Sequence, residues 1–353
     1  MTEQNLYCEN GSAVSSFAEN LIKTAKKEKI PLSGTFELTP RCDFNCRMCY
    51  VHLKEDEIQD FGTELPVSEW IRLAEEARDA GMIYLCITGG EPLMYEGFEE
   101  FYRAVSQMGF IITLQTNASM INDKAVSLFE NAVPNLVKTT LYGSNNSIYR
   151  DVCGIENGFS RVDSGIKKFL SMGVPVELVT TVIKENRDDL NNIAEYAKNL
   201  NLPLIINTTV NPSARGAKQD KNSFLEESDY PNFESDVKNM LSLPKRKKDD
   251  RPCDRCKGRG ISFWITWDGM MRFCSFMNEP DIDVRNVPFY DSWEKLLCYE
   301  ENLRWPDECY SCEIREYCHL CAGALASRSG SINKTDKKLC NDLKRYLELS
   351  KNF

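Results

Sequence analysis

The sequence is poor in histidine, with only His52 and His319 in 353 residues, so any metal the chain binds must be held mainly by other side chains. No apolar stretch approaches the ~18 uninterrupted residues of a membrane-spanning helix. The first residues, MTEQNLYCENGS, lack the basic cluster and apolar run of an export signal, so a cytoplasmic protein away from the membrane is expected. Positive charge is also short. Lys and Arg number 43 against 53 Asp and Glu, and the formal net charge of −10 argues against nucleic-acid binding. The one basic island, KRKK at 245–248, stands beside two aspartates and reads as a solvated linker. A hydrophobic content of 42% is enough for one large domain or two moderate ones and excludes a disordered or fibrous chain.

What the chain has in excess is cysteine, fifteen in all. Without an export signal these are not expected to be disulfide staples, which leaves metal ligation as the better reading. With so little imidazole, the choice narrows to iron–sulfur clusters or all-cysteine zinc sites.

Short β-rich runs alternate with amphipathic stretches between residues 34 and 210, the pattern of parallel βα units. Strands are expected at Thr35–Thr39, Ile83–Thr88, Ile111–Gln115, Val137–Leu141, Val176–Val182 and Leu204–Thr209. Helices are expected near 68–80, 97–108, 122–130, 160–172 and 187–200, with Gly81, Gly109, Gly173 and Pro203 as punctuation. Right-handed crossovers wrap such a series into a twisted sheet, and six strands fall short of the eight of a closed (β/α) barrel. Residues 1–33 are expected to add a helical extension, Ala13–Lys29, and residues 211–250 a connector, part helical. From residue 251 to about 345 cysteines crowd a segment with few long periodic elements, which should be held together by its metals.

Two motifs stand at the C-terminal ends of the first two expected strands. TPRCDFNCRMCY spaces Cys42, Cys46 and Cys49 by three and then two residues, which suits three irons of a [4Fe–4S] cube and leaves the fourth open. A zinc knuckle is the alternative on spacing alone. In ITGGEP, Gly89 and Gly90 permit close backbone approach, Pro92 fixes the exit, and the Glu91 carboxylate and adjacent carbonyls suit an ammonium group. Together these residues resemble the radical S-adenosylmethionine (radical SAM) superfamily across residues 34–210.

That resemblance implies an α/β fold, a partial (β/α)6 TIM-like barrel, in which S-adenosylmethionine chelates the open iron. Its reductive cleavage would give a 5′-deoxyadenosyl radical that takes hydrogen from a substrate. Further cofactor contacts are expected from Asn117 in LQTNAS and from Thr140 in TTLYG, where relatives often carry Ser. An arginine, Arg150 or Arg161, would suit the methionine carboxylate. Tyr142, Tyr149, Asp151 and Glu177 are further possibilities on the site face.

Cys253, Cys256, Cys274, Cys309, Cys312, Cys318, Cys321 and Cys340 resemble the SPASM extension of these enzymes, a small cysteine-rich iron–sulfur domain with two auxiliary [4Fe–4S] clusters. Relatives commonly have three residues before the cysteine matching Cys321, where only His319 and Leu320 stand here. The resemblance assigns Cys253, Cys256, Cys274 and Cys321 to one cluster and Cys309, Cys312, Cys318 and Cys340 to the other. A pair of zinc sites is the alternative. Of the remaining cysteines, Cys86 is expected in the core and Cys153 in a loop, with Cys8 and Cys298 unassigned.

Enzymes of this two-part kind mostly modify peptides or proteins, so maturation of a ribosomally made peptide by crosslink or thioether formation is the leading expectation. A small-molecule or cofactor-biosynthesis enzyme would share every motif. Oxidation of a sulfatase is disfavoured, because Ser275 stands where such maturases place an Asp as general base. A non-catalytic zinc or electron-transfer protein would leave GGEP without a purpose. The implied partners are a peptide, a separate leader-binding protein, since the residues before the first strand are too few for a leader-binding module, and an electron donor such as a flavodoxin or ferredoxin.

Overall fold

The computed structural model of the chain describes residues 12–213, 215–225, 245–247, 250–318 and 320–350. Cys8, Lys248, His319 and the expected acidic helix of the connector lie outside them. Six parallel strands, β1 (Ser33–Glu37), β2 (Tyr84–Thr88), β3 (Ile111–Thr116), β4 (Leu136–Thr140), β5 (Val176–Thr181) and β6 (Leu204–Asn207), follow one another in the sheet in chain order. This is the six-stranded partial barrel expected.

Three more strands extend the sheet beyond β1. β7 (Ser262–Ile265) pairs parallel with β1, with Thr35 opposite Trp264, and β8 (Met270–Arg272) and β9 (Ile282–Asp283) continue antiparallel. The sheet order is therefore β6-β5-β4-β3-β2-β1-β7-β8-β9. The cysteine-rich segment shares its first strands with the barrel's sheet.

The helices are α1 (Ser12–Glu28), α2 (Glu55–Phe61), α3 (Val67–Asp79), α4 (Phe98–Ser106), α5 (Asp123–Asn131), α6 (Asn146–Cys153), α7 (Gly158–Ser171) and α8 (Leu190–Asn199). In the C-terminal part they are α9 (Phe289–Asn302), α10 (Asp307–Tyr310), α11 (Ala322–Ser329) and α12 (Lys337–Ser350). Their apolar faces follow the helical period. On α3, Trp70, Leu73, Ala74 and Ala77 are buried, and on β1 Phe36 meets them, its ring 5.0 Å from Trp70 and 6.2 Å from Phe101. Full burial of a side chain like Phe36 stabilises by about 2–3 kcal/mol. α6 was not among the expected helices. Asn145 caps it by accepting from the Ile148 amide, and Gly154 ends it in the left-handed conformation at φ 71°.

Strand alternation sends Phe36, Leu85, Ile87, Ile112, Leu114, Val137 and Leu178 into the core with the helices. The opposite phase faces the concave interior and is polar: Thr35, Glu37, Thr113, Gln115, Lys138, Thr140 and Glu177. Cys86 belongs to this second set, opposite Thr35 and Thr113 in register, with its thiol hydrogen-bonded to the Thr35 side chain. It is therefore not the core residue expected from its apolar strand. One residue in either direction would have put it there.

Candidate active site and thiol clusters

The loop after β1 carries the first three thiols at the C-terminal mouth of the barrel. Its path is held by backbone bonds to α6, with the amides of Asn45 and Arg47 donating to the carbonyls of Cys153 and Val152 at 2.9 and 3.0 Å. Two loop amides point at sulfur, Phe44 N to Cys42 Sγ at 3.4 Å and His52 N to Cys49 Sγ at 3.3 Å. Hydrogen bonds of this kind are what cluster sulfurs receive. Burial raises the pKa of Cys42, and Cys46 beside it adds to this; Cys49 is pushed up to about 11 by the same two causes. Cys46 is raised by a hydrogen bond with Cys153 and then by burial. Thiols that oppose one another's ionisation are the donor set that a cationic cluster relieves.

The GGEP segment clamps this loop. Gly90 N donates to the Thr39 carbonyl at 2.7 Å and Glu91 N to the Arg41 carbonyl at 2.8 Å. A Cβ on Gly90 would stand 2.3 Å from the Arg41 carbonyl oxygen and one on Gly89 2.8 Å from that of Thr39, so no side chain fits at either place. The glycines thus serve a backbone contact within the protein. Pro92 opens a short 3-10 turn after them.

Glu91 is fully buried. Its carboxylate accepts from Thr116 Oγ1 at 2.7 Å, Asn117 N at 2.8 Å and Leu93 N at 3.2 Å, and burial pushes its pKa up to about 7 against these bonds. Glu91 therefore anchors the end of β3. From there Asn117 reaches the cysteine loop, its Nδ2 donating to Asp43 Oδ1 at 2.8 Å and lying 3.7 Å from Cys42 Sγ.

Asp43 was missed in the sequence, although an acid inside a cysteine loop is a usable signal. It gathers Asn117, Ser119 (Oγ to Oδ2, 2.7 Å) and Arg161, whose guanidinium pairs with it and lies over the Phe44 ring. Arg161 thus stands beside the cysteine loop, whereas Arg150 is paired with Asp151 on the surface. Thr140 lies at the end of β4 in the interior phase. Glu177 faces the interior as well, 2.6 Å from Lys138. Tyr142 lies close enough to Cys46 and Cys49 to feel their charge, Tyr149 is in the core, and Asp151 is exposed.

The later cysteines form two further sets. Cys253, Cys256, Cys274 and Cys321 act on one another electrostatically, and burial pushes Cys274 up to about 12. A Cβ on Gly323 would come within 3.1 Å of Cys274 Sγ and 3.8 Å of Cys321 Sγ, so glycine leaves room beside these thiols. Cys309, Cys312, Cys318 and Cys340 line one cavity of about 40 Å³ with Trp305. Arg246 and Arg315 brace that set: they pair with Asp250 at 2.8 and 2.9 Å and donate to the carbonyls of Cys318 and Cys309. Among the described residues no group of three or more His, Cys, Asp or Glu side chains is arranged to hold a metal ion.

The first loop also touches the second set. The Tyr50 ring lies 5.0 Å from that of Phe276, and its hydroxyl is hydrogen-bonded with the Ser275 side chain, next to Cys274.

The sequence model of the Radical SAM superfamily matches residues 36–197, the span from β1 to α8 that carries both motifs. These residues form a radical SAM domain. The chain resembles a probable GTP 3′,8-cyclase of Saccharolobus solfataricus, 28% identical over 71% of this chain and 84% of that protein. It also resembles the sporulation killing factor maturation protein SkfB of Bacillus subtilis, 25% identical over 48% of this chain and 40% of that one. In fold it is similar to Streptococcus suis SuiB bound to the precursor peptide SuiA, with a TM-score of 0.67 at 17% identity over 96% of this chain and 84% of that chain. Among the described residues no helix is long and apolar enough to cross a membrane.

Proposed function

We propose that the protein is a peptide-modifying radical SAM enzyme with a SPASM-type C-terminal domain and three [4Fe–4S] clusters. Cys42, Cys46 and Cys49 would hold the reactive cluster, Cys253, Cys256, Cys274 and Cys321 the first auxiliary one, and Cys309, Cys312, Cys318 and Cys340 the second. The observation that carries this reading is the gathering of eight C-terminal thiols into two separate sets of four, the first of them joined to the GGEP-clamped loop through Tyr50. When bound, the reactive cluster and S-adenosylmethionine supply a 5′-deoxyadenosyl radical. The chain's own contribution is position: Glu91 fixes the end of β3, and Asp43 holds Asn117 and Arg161 at the cysteine loop. Gly89, Gly90, Asn117, Thr140 and Arg161 would line the methionine and ribose ends of the cofactor.

Two relatives support a peptide substrate, SkfB by its name as a maturation protein and SuiB by the precursor peptide bound to it. The second reading is a small-molecule substrate, favoured by the likeness to a probable GTP 3′,8-cyclase. The test is anaerobic purification, iron and sulfide analysis, and incubation with S-adenosylmethionine, a strong reductant and peptides encoded beside the gene. About twelve irons, deoxyadenosine, and a peptide that loses two hydrogens in the mass spectrum are expected. Deoxyadenosine with GTP consumed and peptides unchanged would replace the peptide reading. Zinc without cleavage would overturn the cluster assignment.

A further inference from the structure

The surface over the first C-terminal thiol set is basic on a chain that is acidic overall. The sequence RPCDRCKGR places Arg251, Arg255, Lys257 and Arg259 around Cys253 and Cys256, and the end of α1 brings Lys26 and Lys29 to the same place. Lys26, Lys29, Arg251, Arg255 and Lys257 are exposed. Lys26 lies near enough to lower the pKa of Cys256, and Arg259 feels the charge of Cys253. Lys26, Lys29, Arg251 and Arg259 also line a depression of about 270 Å³. Its acids are Asp254, Glu300 and Glu301; Asp254 is paired with Arg259, Glu301 lies 2.6 Å from Lys29, and Glu300 is buried.

Beneath this collar the thiol set reaches solvent, since Cys321 is exposed and Cys256 partly so. The other C-terminal set is edged by both signs. Exposed Asp307, Glu308 and Glu313 alternate with Cys309 and Cys312 and Asp336 stands near Cys340, while Lys337 and Lys338 are exposed beside Cys340 and Lys344 pairs with Glu313. The first set offers near-surface sulfur under an attractive field for an anionic partner.

We infer that this collar is the docking surface for an acidic one-electron carrier protein, which delivers its electron to the chain through the Cys253, Cys256, Cys274 and Cys321 set. The carrier is oxidised by one electron and this set's cluster is reduced by one; no bond is made or broken. The inference rests on the three-cluster reading above. Steering by complementary charge acts on association and is weakened by salt.

The test uses the cluster-loaded protein and a reduced flavodoxin as probe. Wild type, the triple variant Lys26→Glu/Arg255→Glu/Lys257→Glu, and Glu308→Lys/Glu313→Lys on the other set are compared for flavodoxin affinity across ionic strength. Reduction by dithionite is followed optically on the same samples. The triple variant is expected to bind about tenfold more weakly, with most of its salt dependence gone, while the second variant holds or gains affinity and all three are reduced alike by dithionite. Unchanged affinity in the triple variant, or loss in the Glu308 and Glu313 variant alone, overturns the inference. Failure of dithionite to reduce wild type defeats the cluster reading itself.

Discussion

Arg215 grips Glu37 with both terminal nitrogens, at 2.5 and 2.8 Å, inside the barrel where the Glu37 side chain has no exposure at all. Trp264 Nε1 on β7 donates to the same carboxylate at 3.1 Å. The chain beyond β6 is thus tied to the end of β1 and to the cysteine-rich segment through one acid. Removing Arg215 leaves a buried charge with a single neutral donor. Arg215→Ala is expected to cost about 3–5 kcal/mol of unfolding free energy, and Glu37→Gln with Arg215→Met distinctly less, as measured by anaerobic urea denaturation. Equal losses would mean that the pair is not the source of the effect.

Gly90→Ala places a methyl against the Arg41 carbonyl, which is backbone and cannot swing aside. The cysteine loop must move while the distant thiol sets are untouched. About four irons fewer per chain are expected, with S-adenosylmethionine cleavage abolished and the C-terminal cluster signals retained in the electron paramagnetic resonance spectrum. A full iron complement would show that the loop tolerates the clash.

Cys153 is wholly buried at the end of α6 and hydrogen-bonded with Cys46. In the proposed three-cluster reading Cys46 would be a ligand, and a hydrogen bond from a neighbouring group to cluster sulfur raises the reduction potential. Cys153→Ala is expected to lower the potential of the reactive cluster by tens of millivolts at roughly constant iron content, read by potentiometric titration. No change in potential would confine Cys153 to packing.

Glu300 on α9 accepts from the Gly260 amide at 2.9 Å, but burial pushes its pKa up to about 7. The folded state therefore holds this proton more tightly than the unfolded state, whose glutamate titrates near 4.3. The group's contribution to stability is intact below that value and is lost as pH rises toward 7. Glu300→Gln keeps an acceptor for Gly260 and removes the titration. Relative to wild type it should gain up to about 2–3 kcal/mol between pH 5 and pH 7.5, measured as the difference in urea midpoint. A constant offset across that range would count against a titrating Glu300.

The cysteine spacings, the GGEP turn and the six parallel strands were legible because each rests on local chemistry: thiols at ligand spacing, glycines where backbones touch, and alternation broken by Gly or Pro. The rest depended on contacts that spacing does not carry. β7, β8 and β9 run four, three and two residues and exist as strands only because β1 has a free edge to receive them. Cys86 was misplaced because its neighbours are apolar, and register alone decides that Leu85 and Ile87 go to the helices and Cys86 to the interior. Arg215 lies 178 residues from Glu37 in a polar stretch with no periodicity, and nothing local joins them. α6 was within reach, since Asn145 followed by Ile148, Tyr149 and Val152 is a capped apolar face.

Because β7 covers the flank of β1, the strand that leads into the reactive cysteines has neighbours on both sides and offers no backbone to a visitor. The nine strands lie in line rather than in a ring, so the described sheet ends at β6 and β9 alone. A guest chain that binds by adding a strand has those two rims to choose from. β6 is the longer, and it presents Ile206 with 46% of its surface open to water.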